Sequence, residues 1–184
     1  FTFPSIGRVL RANDRINIAC IGVGGKGDSD SNAAAECGGN IVAICDVDQN
    51  TLEKKGKQFA QAKRFQDYRK LLDQMGKDID AVTVSTPDHN HGVAAMRAMK
   101  MGKHCFCQKP LTHDIYETRR LTEFARQKKL VTQMGIQIHS SGTYREAVRI
   151  IQDGTIGKIK EVHTWSNKAW GDPSARPDRT DPVP

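Results

Sequence analysis

The sequence lacks a membrane-spanning segment, because no apolar run approaches the ~20 residues that a helix needs to cross a bilayer. Aromatic residues are scarce, at 6% of the 184 residues, and they form no stacking pattern with the basic residues that give a net charge of +7. The lysines and arginines stand among acids in helical segments, which indicates solvated helix surfaces. We therefore predict no membrane or nucleic-acid partner and a globular protein whose charge suits anionic ligands.

The five cysteines indicate neither a disulfide-bonded scaffold nor a zinc site. Their number is odd, and their spacing matches neither a zinc site nor a disulfide framework. Most lie in apolar, strand-like runs, where a thiol behaves as a small hydrophobic side chain. His89 and His91 could be taken for metal ligands, but no third ligand of suitable spacing stands nearby, so we predict no metal site.

A glycine-rich turn follows the first apolar run. Residues 16–21 predict a strand, and the alanine-rich residues 32–37 predict a helix. Between them Gly22, Gly24 and Gly27 form the G-x-G-x-x-G pattern of dinucleotide-binding folds. The first glycine permits a tight turn, the second allows close approach of a pyrophosphate, and the third lets helix and strand pack closely. We predict that the whole loop binds the pyrophosphate: Gly22, Val23, Gly24, Gly25, Lys26 and Gly27.

An acidic residue ends the second apolar strand, residues 41–45. Asp46 lies about 20 residues after the last glycine, the distance expected for the carboxylate that binds the adenosine ribose. The alternative is an aspartate that caps the following helix, and Asp48 or Asn50 fits that role better. Because a carboxylate repels a 2′-phosphate, we predict NAD as the cofactor, with NADP disfavoured.

Strand-like and helix-like segments alternate up to about residue 137. Further strands are predicted at residues 64–65, 81–86, 104–107 and 131–137, and helices at 50–62, 67–72, 88–101 and 114–128. This order predicts an α/β fold, a doubly wound parallel sheet of the Rossmann type with its ligand beyond the carboxyl ends of the strands.

The domain organisation follows from where this alternation stops. We expect an extended N-terminal arm at residues 1–15, without the apolar core of a signal peptide, and a dinucleotide-binding domain at residues 16–138. A helix at 143–153 and a strand at 158–165 cannot bury a sheet face alone. Residues 139–184 are therefore expected to be the incomplete beginning of an α/β substrate domain.

Several motifs in combination resemble one known family. The glycine loop, Asp46, the segment Thr86-Pro87-Asp88-His89-Asn90-His91 and the segment Gln108-Lys109-Pro110-Leu111 are similar to the Gfo/Idh/MocA oxidoreductases. The resemblance covers nearly all of residues 16–167. It implies an N-terminal Rossmann domain, a C-terminal α/β domain with an open sheet, a small carbohydrate substrate and a homo-oligomer at full length. A subgroup of the family often carries a twin-arginine export signal, so the resemblance leaves export and a cytoplasmic location open.

The resemblance also implies residue roles. Thr86, Pro87 and His91 match a Thr-Pro-x-x-x-His segment that runs along the cofactor, with His91 facing the cleft. Lys109 matches a lysine placed near the nicotinamide and the reacting hydroxyl, and Gln108, also counted as cofactor-binding, replaces the family's glutamate and so removes a negative charge. By its residue type and position alone, Lys109 could donate to a substrate hydroxyl, act as a base, or be an ordinary surface lysine.

A second catalytic candidate is His139, which follows the sixth strand and could reach a substrate. Trp165 and Trp170 could form a sugar-stacking wall, with core packing or a dimer face as alternatives. The residues after Trp170 do not match the family's second-domain aspartate–histidine pair. We therefore expect this chain alone to bind the dinucleotide and to catalyse poorly.

The leading hypothesis is an NAD(P)-dependent oxidoreductase that transfers hydride between nicotinamide and a sugar or polyol hydroxyl. One alternative is a glycosidase that keeps NAD bound and uses transient oxidation to eliminate the leaving group. Another is a non-catalytic NAD-binding module.

Overall fold

The computed structural model describes residues 15–165. Its elements are β1 (Asn17–Ile21), α1 (Lys26–Glu36), β2 (Asn40–Cys45), α2 (Gln49–Gln58), β3 (Lys63–Phe65), α3 (Tyr68–Met75), β4 (Ala81–Val84), α4 (His91–Lys100), β5 (His104–Gln108), α5 (Ile115–Lys128), β6 (Thr132–Gly135) and α6 (Gly142–Gln152). Short 3₁₀ turns span Asp88–Asn90 and Gln137–Ser140. The predictions for residues 1–14, Trp170 and the rest of 166–184 lie outside the described residues.

The six strands form one parallel sheet in the order β3-β2-β1-β4-β5-β6. This is the strand order of the doubly wound dinucleotide-binding fold. The predicted α/β Rossmann class is confirmed. The order reverses between β1 and β4, and the switch point of such a sheet is where a ligand crevice forms at the carboxyl ends of the strands.

The central strands β1, β2 and β4 are buried on both faces of the sheet, as their uncharged, mostly apolar residues predict. Successive side chains of a strand point to opposite faces. Ala19 and Ile21 belong to one buried cluster with α3 and α4 residues, whereas Cys20 belongs to a second cluster with Leu52 of α2. This double burial holds the ends of β1, β2 and β4 in fixed positions.

Three aspartates begin helices of the domain. The side chains of Asp48, Asp67 and Asp114 each accept a hydrogen bond from a main-chain N–H in the first turn of α2, α3 and α5. Such caps satisfy N–H groups that have no partner within the helix. Of the two residues predicted to cap the helix after β2 in place of Asp46, namely Asp48 and Asn50, the structure shows Asp48 as the cap.

Several predicted boundaries were wrong. Helix α1 begins at Lys26 rather than at residue 32, because the glycine loop passes directly into its first turn, and α2 ends at Gln58 rather than at residue 62. The helix predicted from residue 88 is split into a 3₁₀ turn and α4. The strand predicted at residues 158–165 is absent from the described residues, where this segment is exposed and irregular. A strand needs a neighbour to complete its hydrogen bonds, and no neighbour lies beside this one in the described part.

The described residues divide into two compact units, the first ending at Gly135 and the second beginning at Ile136. The predicted boundary between residues 138 and 139 stays a prediction. In the second unit, α6 leaves Tyr144, Val148 and Ile151 exposed. No helix between residues 15 and 165 is long and apolar enough to cross a membrane.

Candidate functional site: a groove at the switch point of the sheet

A groove of about 500 Å³ lies at the carboxyl ends of β1, β2 and β4. It occupies the point where the strand order reverses, as expected for the ligand crevice of this fold. Its lining residues are Ile21, Gly22, Gly24, Lys26, Cys45, Asp46, Val47, Ser85, Thr86, Pro87, His89 and Asn90. Sequence segments far apart in the chain therefore meet at one concave surface.

The glycine loop has the geometry that its sequence predicts. Gly22 has φ +81°, a left-handed conformation, and a Cβ on it would lie 2.5 Å from the carbonyl oxygen of Ser85. Gly27 packs so closely against the carbonyl of Gly22 that any Cβ would collide with it. Because Lys26 already belongs to α1, the loop leads straight to the first-turn N–H groups and the positive end of the helix dipole. Such a helix start suits an anion such as pyrophosphate.

Asp46 connects the end of β2 to this loop. Its Oδ2 accepts hydrogen bonds from the main-chain N–H of Val23 at 2.9 Å and of Gly24 at 3.1 Å. Its Oδ1 accepts from the N–H of Asp48 at 3.1 Å. Hydrogen bonds to a carboxylate are stronger than those between neutral groups. Asp46 therefore both shapes the loop and places a negative charge on the wall of the groove.

A buried carboxylate, Asp30 on α1, joins three segments around the groove. Its Oδ2 accepts from the hydroxyl of Ser85 at 2.7 Å and from Nε2 of Gln108 at 2.8 Å. Its Oδ1 lies 2.8 Å from Nζ of Lys26. The sequence-based prediction missed Asp30, because a polar residue in a helix is usually solvated. Its spacing of four residues from Lys26 is the one local signal that could have indicated a partner.

The imidazole of His91 is enclosed between two loops. Only 1% of the residue is exposed, and Nδ1 and Nε2 lie 2.6 Å and 2.7 Å from the carbonyl oxygens of Pro110 and Thr86. A neutral imidazole carries a single N–H donor, so these two acceptors compete for it. The predicted orientation of His91 toward the cleft is wrong, since the ring links the main chains of the two segments instead.

The two predicted catalytic residues are both exposed. Lys109 directly follows β5, its main-chain N–H lies 3.4 Å from Oε1 of Gln108, and its peptide bond to Pro110 is cis. His139 lies in the second unit, where its ring stacks on Tyr144 with 5.4 Å between ring centres. Their catalytic roles stay predictions.

The predicted cofactor-binding residues fall into three groups. Those that line the groove are Gly22, Gly24, Lys26, Asp46, Thr86 and Pro87. Those that are buried are Val23, Gly27, His91 and Gln108, and those that are exposed outside the lining are Gly25 and Lys109. The sequence-based prediction missed six lining residues, Ile21, Cys45, Val47, Ser85, His89 and Asn90. The first four lie at or just after a strand end, and the last two lie in the 3₁₀ turn between β4 and α4.

The cysteine in the groove wall, Cys45, is unreactive. Burial, together with the carboxylates of Asp46 and Asp67, raises the pKa of the Cys45 thiol to about 12. The thiol is therefore neutral at physiological pH and a poor nucleophile. Between residues 15 and 165, no group of three or more metal-binding side chains is placed to hold a metal ion.

Fold and site together define a dinucleotide-binding Rossmann domain. The family model described as an oxidoreductase family with an NAD-binding Rossmann fold, GFO_IDH_MocA, matches residues 16–136. The chain belongs to this family, as the resemblance of its motifs predicted. NAD is therefore the cofactor that its fold binds.

Similar proteins include dehydrogenases of cyclic polyols. The inositol 2-dehydrogenase of Salmonella paratyphi B is 30% identical over 129 residues, which are 68% of this chain and 38% of that protein. The structure of myo-inositol 2-dehydrogenase from Lactobacillus plantarum is 28% identical in sequence, with a TM-score of 0.72. The match covers 79% of this chain and 43% of the chain of that dehydrogenase. The structure of scyllo-inositol dehydrogenase from Lactobacillus casei with NAD(H) and scyllo-inositol has 26% identity, a TM-score of 0.71 and the same coverage of 79% and 43%. The chain thus spans less than half the length of these relatives.

Proposed function

We propose that this chain is the cofactor-binding part of an NAD-dependent dehydrogenase that transfers hydride between nicotinamide and a hydroxyl-bearing ring carbon of a cyclic polyol of the inositol type. The observation that carries the proposal is the groove at the switch point, in which the glycine loop, Asp46 and Thr86-Pro87 lie together. The names of the similar dehydrogenases support the substrate class.

The groove fits a dinucleotide in shape and charge. Gly22 and Gly27 lie where any side chain would collide with main-chain atoms, so the glycines allow the loop to pack closely. The N-terminal N–H groups of α1 can donate to the pyrophosphate. Asp46 accepts from the adenosine ribose, and its charge disfavours the 2′-phosphate of NADP. Val47 and Asp48, the next residues, provide no positive charge for such a phosphate.

The residues on the other side of the switch point serve the reacting end of the cofactor. Bound nicotinamide supplies the hydride chemistry of the reaction. Thr86 and Pro87 form the wall of the groove after β4, and Lys109 stands at the end of β5. Lys109 takes the proton of the substrate hydroxyl as hydride leaves the carbon for NAD⁺, which gives a ketone and NADH, and it returns the proton to the oxygen in the reverse reaction.

The test is an assay of the full-length protein with NAD⁺ and a panel of inositols, other polyols and aldoses, in which the absorbance of NADH measures the reaction. We expect NADH with a cyclic polyol, a loss of about 10²-fold or more in kcat for Lys109→Ala, and unchanged activity for Lys54→Ala, an exposed lysine on α2. Cleavage of a glycoside without net NADH, or NADH binding without oxidation of any substrate in the panel, would contradict the proposal.

A further inference from the structure

We propose that Asp30 is a positioning residue for the cofactor groove, and that its carboxylate is the reason why position 108 carries an amide. Asp30 fixes Ser85 in the groove wall and Gln108 immediately before Lys109. The inference rests on the proposed function, because it concerns the segment that carries Lys109.

The surroundings of Asp30 are those of a built polar site. Its side chain is 7% exposed, and a buried carboxylate is stable only when charged or hydrogen-bonding partners replace water. One oxygen has the ammonium of Lys26 at 2.8 Å, and the other accepts from both Ser85 and Gln108. Two of these three partners, Lys26 and Ser85, line the groove, so Asp30 helps to fix the positions of groove residues.

The amide of Gln108 is the complement of this carboxylate. The residue is 3% exposed, its Nε2 donates to Asp30, and its Oε1 faces the main-chain N–H of Lys109. In a glutamate at position 108, a carboxylate oxygen would replace Nε2, which lies 2.8 Å from Oδ2 of Asp30. Two like charges at such a distance repel strongly, and the end of β5 would have to move.

Gly135 of β6 confines the amide from another side. A Cβ at this position would lie 2.6 Å from Nε2 of Gln108 and 2.8 Å from its Oε1. The missing side chain thus provides the space in which the amide meets Asp30. The pair is held from three elements, since α1 carries Asp30, β5 carries Gln108 and β6 leaves the space.

A charge exchange tests the pair. NADH affinity is measured by cofactor fluorescence for the wild type, Gln108→Glu, Asp30→Asn and the double variant, with thermal unfolding midpoints in parallel. We expect Gln108→Glu to weaken NADH binding at least about tenfold, because a buried charge loses its hydrogen bond and gains a like charge. The double variant should return to within about threefold of the wild type, since the asparagine amide then donates to the glutamate carboxylate.

Wild-type affinity in Gln108→Glu overturns the proposal. It is also overturned if the double variant recovers its unfolding midpoint while its NADH affinity stays as low as that of Gln108→Glu, because the pair would then be structural only. Should Gln108→Glu fail to fold, Gly135→Ala displaces the same amide and is expected to weaken NADH binding about tenfold. The control is Gly142→Ala, where an added Cβ meets open space, and wild-type affinity in Gly135→Ala overturns the proposal.

NADH binding requires no substrate, which separates this test from that of the proposed function. If the charge exchange behaves as expected while no polyol is oxidised, the role of Asp30 stands and the substrate class is wrong. If polyol oxidation is found while the exchange has no effect, the role of Asp30 is wrong.

Discussion

The Oδ2 atom of Asp46 lies 2.9 Å from the main-chain nitrogen of Val23, so the carboxylate at the end of β2 is hydrogen-bonded to the glycine loop at the end of β1. The same carboxylate lines the groove. One side chain thus has two tasks, the support of the loop and, by our proposal, the binding of the adenosine ribose. Two substitutions separate these tasks.

Asp46→Asn keeps an acceptor oxygen for the loop but loses the charge, whereas Asp46→Ala loses both. We expect NAD to bind at least about tenfold more weakly to Asp46→Ala and the preference for NAD over NADP to shrink in both variants. The unfolding midpoint should fall further in Asp46→Ala than in Asp46→Asn. Calorimetric titration with both dinucleotides checks this, and an unchanged NAD affinity in Asp46→Ala would remove the ribose assignment.

Gly27→Ala should destabilise the domain, because the new Cβ collides with the main-chain carbonyl of Gly22 and neither backbone can move freely. The expected loss is about 1–3 kcal/mol in the free energy of unfolding, measured by urea denaturation. Gly142→Ala is the matched control, since its Cβ meets nothing within 4 Å. Equal stability of the two variants would show that the close packing of α1 on the loop is not needed.

Thiol labelling should distinguish one cysteine from the other four. Burial raises the pKa of Cys20 to about 11 and that of Cys107 to about 12, and it raises the pKa of Cys105 as well. Cys45 is shifted in the same direction, whereas Cys37 is exposed. Iodoacetamide at pH 8 should therefore modify the native chain once, at Cys37, as read by mass spectrometry. Rapid labelling of Cys45 in the native state would show that the groove wall opens.

His91→Ala should lower the free energy of unfolding by about 1–3 kcal/mol, because the buried imidazole that links the main chains at Thr86 and Pro110 is lost. His113→Ala, an exposed histidine in the loop before α5, is the control and should have no effect. Thermal or urea unfolding measures both. A wild-type stability in His91→Ala would mean that the carbonyls of Thr86 and Pro110 are satisfied without the imidazole.

The parallel sheet and a ligand site at its strand ends could be predicted from the sequence because their signals are local. Apolar runs, the glycine spacing and Asp46 at a strand end each follow from neighbouring residues, and the parallel order then brings the strand ends together. The distinction between Asp46 and the helix cap Asp48 was likewise available from position alone. These are the parts that the structure reproduces.

What the sequence could not supply depends on partners distant in the chain. Asp30 and Gln108 are 78 residues apart, and only the packing of α1 against β4 and β5 makes them neighbours. The ring of His91 is likewise placed by Pro110, a residue of another loop. The strand at residues 158–165 was predicted from alternation, but alternation alone provides no neighbour to pair with.

The binding of NAD in the groove at the ends of β1, β2 and β4 can be measured directly. The isotopically labelled 184-residue chain is titrated with NAD⁺ up to about 1 mM, and amide chemical shifts report binding residue by residue. If NAD binds in this groove, saturable shifts are expected at Gly22 to Gly27, Asp46 and Thr86, with α5 and α6 unaffected. The absence of shifts in the glycine loop, or shifts confined to another surface, would contradict binding in the groove.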